Sequence, residues 1–525
     1  MVNSEPSHSD LTKLLSYFEN KQYEEAENLA IIITEKFPNH PFSWKILGVI
    51  YSQTDRLSKS LEVKLKALDL DPKDHESQFN LANTLRDLGR LDEAEVCYRK
   101  VLDLKPDHIG ALEKLGTTLN DKGDREAAIK SYKKAIKIEP NFAEVYNLLG
   151  MTLKGVGRIE EAKVSYERAI EISPDFAEAY YNLGIILTEN FKLEDAEYNL
   201  RQAITLRHDF SEAYNNLGNL LELKDDMEQA ELNYRLALRI NTNYTKARIN
   251  LAGILKKLEK YEEAIKHFDL INEAYAKSQS LECLYKNQKY IEFNKRLNSM
   301  AKKENRNIRI AAVSAFAAHQ LKQEDPYEFC KKPLDYIIKD NLANYDMNWN
   351  NLINGILKES ENYKLTWESR TTKIGFQGPN DIFEKPSELV SRLQHIIEEL
   401  VDIYYSKFNS EANTFIKSWP FQNKLTGWYN RLEKNGYQIS HIHPDGWLSG
   451  VVYLKTASPL NNDEGAIEFG LHGYDLPIKD KNYPRKIFNP RAGDIVLFPS
   501  SLFHRTIPFS TNTERCVIAF DIKPL

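Results

Sequence analysis

Three histidines toward the C-terminus stand where their side chains can meet: His441 and His443 in SHIHPDGWLSGVVYL, and His504 in AGDIVLFPSSLFHRTIPF. Residues two apart on a strand project to one face, so His441 and His443 can share a metal ion while a distant strand brings His504 as a third donor. Asp445 offers a second way to build the first pair. His443 with Asp445 is a His-x-Asp, which would partly neutralise the charge of the ion, whereas His441 with His443 keeps both donors ahead of Pro444, a residue that tends to end strand pairing. Either set leaves coordination positions open, as oxygen chemistry on iron requires, while a closed tetrahedral set would mark a structural zinc. Cys97, Cys283, Cys330 and Cys516 are scattered without a C-x-x-C spacing, so neither a disulfide framework nor a thiolate zinc site is indicated.

Strands must carry these donors. After about Tyr345, glycines and prolines punctuate short alternating or β-branched stretches: TGWYNRL, GYQISHIH, WLSGVVYLK, GAIEFGL, DIVLFPS, FHRTIPF and ERCVIAFDI. Short strands between turn signals predict a sandwich or barrel. A long helix, SELVSRLQHIIEELVDIYYSKF, precedes them with leucine and isoleucine every three to four residues, a face suited to packing along one sheet. Trp428, Trp447 and Tyr453 flank the histidine motif and either line a pocket or fill core. His472 in GLHGYD reads as a loop residue, and Arg505, beside His504, alternates to the opposite face as a solvated charge.

The preceding half of the chain is periodic. Leucine recurs every 34 residues at Leu47, Leu81, Leu115, Leu149, Leu183, Leu217 and Leu251, always followed by glycine or alanine. Ala94, Ala128, Ala162, Ala196, Ala230 and Ala264 keep the same register, with Ser60 where alanine is expected, and Pro38, Pro72, Pro106, Pro140 and Pro174 close the second half of their repeats. Such a period is a stack of helix pairs: small residues allow close crossing, proline ends the second helix, and Tyr132, Tyr166 and Tyr234 are expected to fill the space between neighbouring pairs. No pair buries its own apolar face alone, so the pairs stack into a right-handed superhelix with a concave groove. The register lapses over 276–344, where SLECLYKNQKYIEFNKRLNSMA and IRIAAVSAFAAHQL keep helical spacing and read as a helical cap or connector.

The balance of charge is mild, 70 basic against 76 acidic residues and a net charge of −6 over 525 residues, so no electrostatic footprint for nucleic acid or an anionic membrane is present. The N-terminus lacks the basic flank and apolar stretch of a signal peptide, and no run of about 18 apolar residues occurs. A cytoplasmic location is the expectation.

The segment AEVYNLLGMTLKGVGRIEEAKVSYERAIEISPDFA resembles the tetratricopeptide repeat, and the pattern covers residues 8–275. This resemblance implies a protein or peptide partner in the groove. Asn83 and Asn219, two after the marker leucine, would point into it to pair with an extended backbone, or else cap and solvate their helices. The C-terminal region resembles the Fe(II)- and 2-oxoglutarate-dependent oxygenases, whose fold is a double-stranded β-helix (jelly roll). It carries His441, His443 and Pro444; then Ser449, Gly450, Val451 and Tyr453; then Pro490, Gly493, Asp494, Phe498, Pro499 and Ser500 leading to His504. The match covers about 425–524 within a domain drawn at 345–525.

That second resemblance implies Fe(II) as cofactor, 2-oxoglutarate and dioxygen as cosubstrates, and a hydroxylase. It also implies that Arg515, eleven after His504, holds the far carboxylate of the oxoacid, with Ser449 and Tyr453 as further candidate contacts. The fold class expected for the whole chain is therefore an N-terminal α-solenoid followed by a jelly-roll domain. Two other functions fit the same residues: a tetratricopeptide scaffold with an inactive jelly roll, and a cupin-like metalloenzyme, which would have no obvious use for Arg515.

Overall fold

The computed structural model describes residues 5–303, 306–367, 371–378, 381–457 and 463–525. The chain divides into two compact units, Met1–Tyr244 and Thr245–Leu525. No described helix is long and apolar enough to cross a membrane.

The first unit is a series of helix pairs, such as Ile109–Asp121 with Arg125–Ile138, Ala143–Gly155 with Ile159–Ile172, and Ser211–Leu223 with Met227–Ile240. The second helices end two residues ahead of the proline series, where a residue without an N–H cannot continue the helix. The small residue after each marker leucine has a specific neighbour. A Cβ on Gly116, Gly150 or Gly218 would lie 2.5, 2.6 or 2.6 Å from the ring of Tyr132, Tyr166 or Tyr234. The tyrosines therefore pack into the crossing inside their own helix pair, against the glycine.

The turn inside each pair holds one residue in the left-handed region: Gly89, Gly123 and Gly157 in three repeats, and Lys21, Asp55, Phe191 and Asp225 in others. A left-handed residue just past a helix end lets the chain reverse sharply, and glycine does so without steric cost.

The second unit begins with helices Thr245–Lys257 and Tyr261–Asp269, continues through Ala274–Lys286, Tyr290–Lys303 and Ile308–Gln320, and then forms a sheet. Its strands are β1 (Ile338–Asn341), β2 (Thr366–Trp367), β3 (Thr372–Gln377), β4 (Asn423–His441), β5 (Leu448–Lys455), β6 (Ile467–Gly470), β7 (Arg485–Phe488), β8 (Asp494–Pro499), β9 (Phe503–Thr506) and β10 (Arg515–Pro524). The segment read as a helical cap thus also supplies β1, which pairs with β8.

All pairings are antiparallel, in the order β1-β8-β5-β10-β4-β9-β6-β7, with β3 also beside β4. The first half of β4 closes one set of strands with β10, and its last residues open a second set with β9. This shared strand gives the order of a double-stranded β-helix. TGWYNRL and GYQISHIH, expected as separate strands, are one: Asn435 takes a left-handed φ of 65° and its N–H reaches Phe509, so the Asn-Gly turn signal is absorbed as a kink within the strand.

The helix Glu388–Phe408 buries Leu393, Ile397, Leu400 and Tyr404, and the Tyr404 hydroxyl donates to the Tyr336 carbonyl at 2.7 Å. Trp447 belongs to the adjoining aromatic core: it is buried against Phe415, and its indole N–H donates to the Phe415 carbonyl at 2.9 Å.

Candidate metal centre

β4 delivers His441, the two residues after it bring His443, and β9 delivers His504 directly opposite His441. The candidate ligand atoms of the three rings lie within 4.8 Å of one another, with ring centroids 5.4 Å (441–443), 4.3 Å (441–504) and 5.0 Å (443–504) apart. Asp445 is exposed beyond Pro444 and lies outside this set, although it lines the same cavity.

The tautomers follow from the partners. Nδ1 of His441 faces the Ile439 carbonyl at 2.7 Å, Nδ1 of His504 faces the Leu502 carbonyl at 3.2 Å, and Nδ1 of His443 faces the Asp521 carboxylate at 2.6 Å. Oxygen atoms of these kinds only accept, so each ring donates through Nδ1, the tautomer in which Nε2 is the metal-binding atom. Burial, together with the neighbouring His441 and His443, pushes His504 well below the usual histidine range, which keeps it neutral.

Asp521 is the residue that the sequence reading did not single out. It is buried, accepts from His443, and accepts a second hydrogen bond from Ser449 at 2.7 Å; Ser449 in turn lies 2.8 Å from the Ser500 hydroxyl. Ser449 is therefore engaged in holding the Asp521 carboxylate rather than facing the open cavity. Its place in strand alternation is the signal that could have found Asp521: it lies six residues after Arg515, an even number, so both face the same side of β10.

A cavity of about 410 Å³ opens beside the histidines, with Trp428, Asn430, Phe498, Arg515 and Asp521 among its walls. Trp428, weighed as core or pocket, lines it with its ring 5.5 Å from that of His443. Arg515 is 2% exposed and forms no ion pair among the described residues; its Nε and Nη1 have no hydrogen-bond partner there, and neither has the hydroxyl of Tyr453, whose ring lies 5.0 Å from the guanidinium carbon. Asn430 is 3% exposed, lines the same cavity and faces Val517 across the strand pair, one step along from Arg515. A buried guanidinium without a counter-charge is costly, and an anion entering the cavity relieves that cost.

The remaining candidates have structural partners. His472 lies in the loop after β6, with Nε2 2.9 Å from the Leu476 carbonyl, and Arg505 pairs with Glu468 at 2.9 Å. Asn83 and Asn219 accept hydrogen bonds from Tyr98 (2.6 Å) and Tyr234 (2.8 Å), the tyrosine of the same repeat in each case. A second cluster, His75, Glu76 and His108, occurs in the first unit. There Nδ1 of His108 accepts the Ala111 amide at 3.1 Å, which puts the ring proton on Nε2, facing Glu76. Nε2 lies 3.6 Å from the Glu76 carboxylate, beyond hydrogen-bond reach, and Nδ1 is already engaged in capping the helix Ile109–Asp121.

Residues 426–521 match the family model described as "Putative 2OG-Fe(II) oxygenase". Tetratricopeptide repeat models match 75–108, 116–155, 156–190, 176–208 and 211–244. No curated protein matches the chain. Similar solved structures include MamA (29% identity, 32% of this chain and 97% of that one, TM-score 0.30) and YrrB, titled as a TPR protein with an unusual peptide-binding site (22% identity, 36% and 96%, TM-score 0.31). A third is pilF of Pseudomonas aeruginosa (20% identity, 38% and 91%, TM-score 0.35). The chain thus joins tetratricopeptide repeats to a domain of the 2-oxoglutarate oxygenase type.

Proposed function

We propose that this protein is an Fe(II)- and 2-oxoglutarate-dependent hydroxylase whose repeats recruit a protein or peptide, either the substrate or a partner. One observation carries the reading: three imidazoles, each with Nδ1 turned to an acceptor oxygen, share a cavity with a buried arginine that has no ion pair among the described residues. A metal site alone has no use for that cation; a dicarboxylate cosubstrate does.

His441, His443 and His504 supply the metal donors, in preference to any set containing Asp445. Bound there with its oxoacid, the ferrous ion supplies dioxygen activation, oxidative decarboxylation to succinate and carbon dioxide, and hydroxylation of a C–H bond. The protein's own residues do the rest. Arg515 receives the far carboxylate in a two-pronged contact, and the amide of Asn430 stands one strand step away to share that carboxylate or the chain behind it. Asp521 keeps the proton of His443 on Nδ1 and fixes the ring, while Ser449 and Ser500 fix Asp521. Trp428 and Phe498 shield the donors from bulk water.

Anaerobic addition of Fe(II) and 2-oxoglutarate should give a weak visible charge-transfer band, and admission of air should then yield succinate. Loss of both in metal-replete protein would leave a repeat scaffold with an inert β domain. Succinate formation undiminished by Arg515→Ala would instead sink the assigned oxoacid subsite.

A further inference from the structure

The loop joining β6 to β7, residues 471–484, touches the strands on both sides of the histidine cluster. The Ser440 hydroxyl, one residue before His441, donates to the His472 carbonyl at 2.6 Å. Phe503, one residue before His504, packs against Tyr474 with ring centroids 5.0 Å apart, and a Cβ on Gly473 would fall 2.1 Å from the Phe503 ring. Tyr474 and Asp475 both hold left-handed φ values, 56° and 51°, which side chains of their kind rarely adopt without support from outside the loop.

That support comes from the helices ahead of the sheet. Gln320, 4% exposed, uses its whole amide on this loop: Oε1 accepts the backbone N–H groups of Lys479 (2.7 Å) and Asp480 (2.8 Å), and Nε2 donates to the Asp480 carbonyl at 2.9 Å. Arg309 donates to the Tyr474 hydroxyl at 3.1 Å, and the Lys479 ammonium lies 3.8 Å from the centre of the Tyr290 ring. Three helices, Ala274–Lys286, Tyr290–Lys303 and Ile308–Gln320, thus hold a loop that in turn grips the residue before each of two candidate ligands; the first contributes the Tyr285 hydroxyl, 3.4 Å from the Pro477 carbonyl.

We propose that Gln320 and Arg309 are positioning residues for the metal centre, acting through loop 471–484 on the segments that carry His441 and His504. This rests on the reading of the three histidines as a ligand set, and it extends the working unit of the site into helices that share no residue with the cavity. Donors must be held to within a fraction of an ångström for tight metal binding, so a loop that loses its anchor loosens the site without removing a ligand.

The test uses the full-length chain as Gln320→Ala, Arg309→Met and the conservative Arg309→Lys, which keeps a donor for the Tyr474 hydroxyl. Two readouts separate the inference from the reading beneath it. In metal-free protein, hydrogen exchange of segments 437–444 and 500–506 should accelerate in Gln320→Ala and Arg309→Met while the helices of 75–240 keep their protection. In Co(II) titrations followed by the visible spectrum, Gln320→Ala and Arg309→Met should bind about tenfold more weakly than the parent, with Arg309→Lys nearer to it. Unchanged exchange in the two ligand segments, or faster exchange with unchanged Co(II) affinity, overturns the positioning role. A parent protein that fails to bind Co(II) overturns the ligand reading instead, and the exchange data then still decide whether the helices hold these segments. Should one variant fail to fold, the other decides by the same criteria.

Discussion

His443 and Asp521, 78 residues apart in sequence, share a 2.6 Å hydrogen bond from ring Nδ1 to carboxylate. In this cluster of imidazoles the carboxylate stands one bond behind a ring and not among the candidate donors. It fixes the tautomer and the orientation of the ring. Asp521→Asn, which keeps the size but not the charge, is expected to weaken divalent metal binding by roughly 10- to 100-fold. Calorimetric titration with Mn(II) or Co(II) checks this, and an unchanged affinity would remove Asp521 from the site.

Arg515 sets up a second expectation. Replacing a buried, uncompensated cation with an apolar side chain of similar length stabilises a protein, so Arg515→Met should raise ligand-free stability by about 1–3 kcal/mol. The same change should abolish stabilisation by 2-oxoglutarate, which in Mn(II)-loaded parent protein should reach about 2.7 kcal/mol at a hundred times Kd. Thermal unfolding with and without the oxoacid measures both effects. A variant that is less stable yet still responds to the oxoacid would contradict the assignment.

Lys64 occupies the place that Tyr98, Tyr132, Tyr166 and Tyr234 take in other repeats, 4% exposed beside Gly48. Its ammonium contacts the hydroxyls of Ser52 (2.7 Å) and Thr84 (2.6 Å), and burial lowers its pKa from 10.5 to about 8. The folded pKa is below the unfolded one, so the unfolded chain binds more protons between the two values. The contribution of Lys64 to stability therefore rises with pH through that window, and its full penalty, about 3 kcal/mol, applies below it. Lys64→Met should stabilise the protein near neutrality, and its advantage over the parent should shrink toward pH 10. Denaturant unfolding of both proteins at matched pH values tests this, since other titrations cancel in the difference.

Two glycines should respond oppositely to alanine. At Gly116 the new methyl would meet the Tyr132 ring at 2.5 Å, whereas at Gly253 nothing lies within 4 Å. Gly116→Ala is expected to cost about 1–3 kcal/mol through overpacking, and Gly253→Ala to gain up to about 1 kcal/mol through helix propensity. Melting temperatures of the two variants decide; equal shifts would mean that the crossing is softer than its geometry implies.

The repeat half was legible because each unit repeats one solution, so the glycine after Leu115 and the alanine at 128 recur in register. Its exceptions were legible only as exceptions. Ser60 broke the alanine series, but the reason, a 2.7 Å bond to the Gly48 carbonyl within the polar cluster around Lys64, needs coordinates. In the β domain the histidines announced themselves by type and spacing. β4 did not, because Asn435-Gly436 reads as a turn and only contacts distant in sequence keep that kink inside the sheet. β7 hid as well, since its exposed Arg485 and Lys486 lack the apolar alternation of a strand. Asp521 and Asn430 were overlooked for a different reason: buried strands leave little contrast between faces, so a polar residue pointing inward cannot be told from one pointing outward by pattern alone.

In the proposed ligand set each Nδ1 faces an acceptor oxygen, so the three rings can present Nε2 to an ion without changing the contacts that orient them. A purely nitrogenous set also ranks divalent ions by intrinsic affinity, with copper, nickel and zinc ahead of iron. Which ion accompanies the purified protein is accordingly a record of supply during growth and handling, and stripping followed by ferrous reconstitution under argon is the preparation from which its chemistry should be judged.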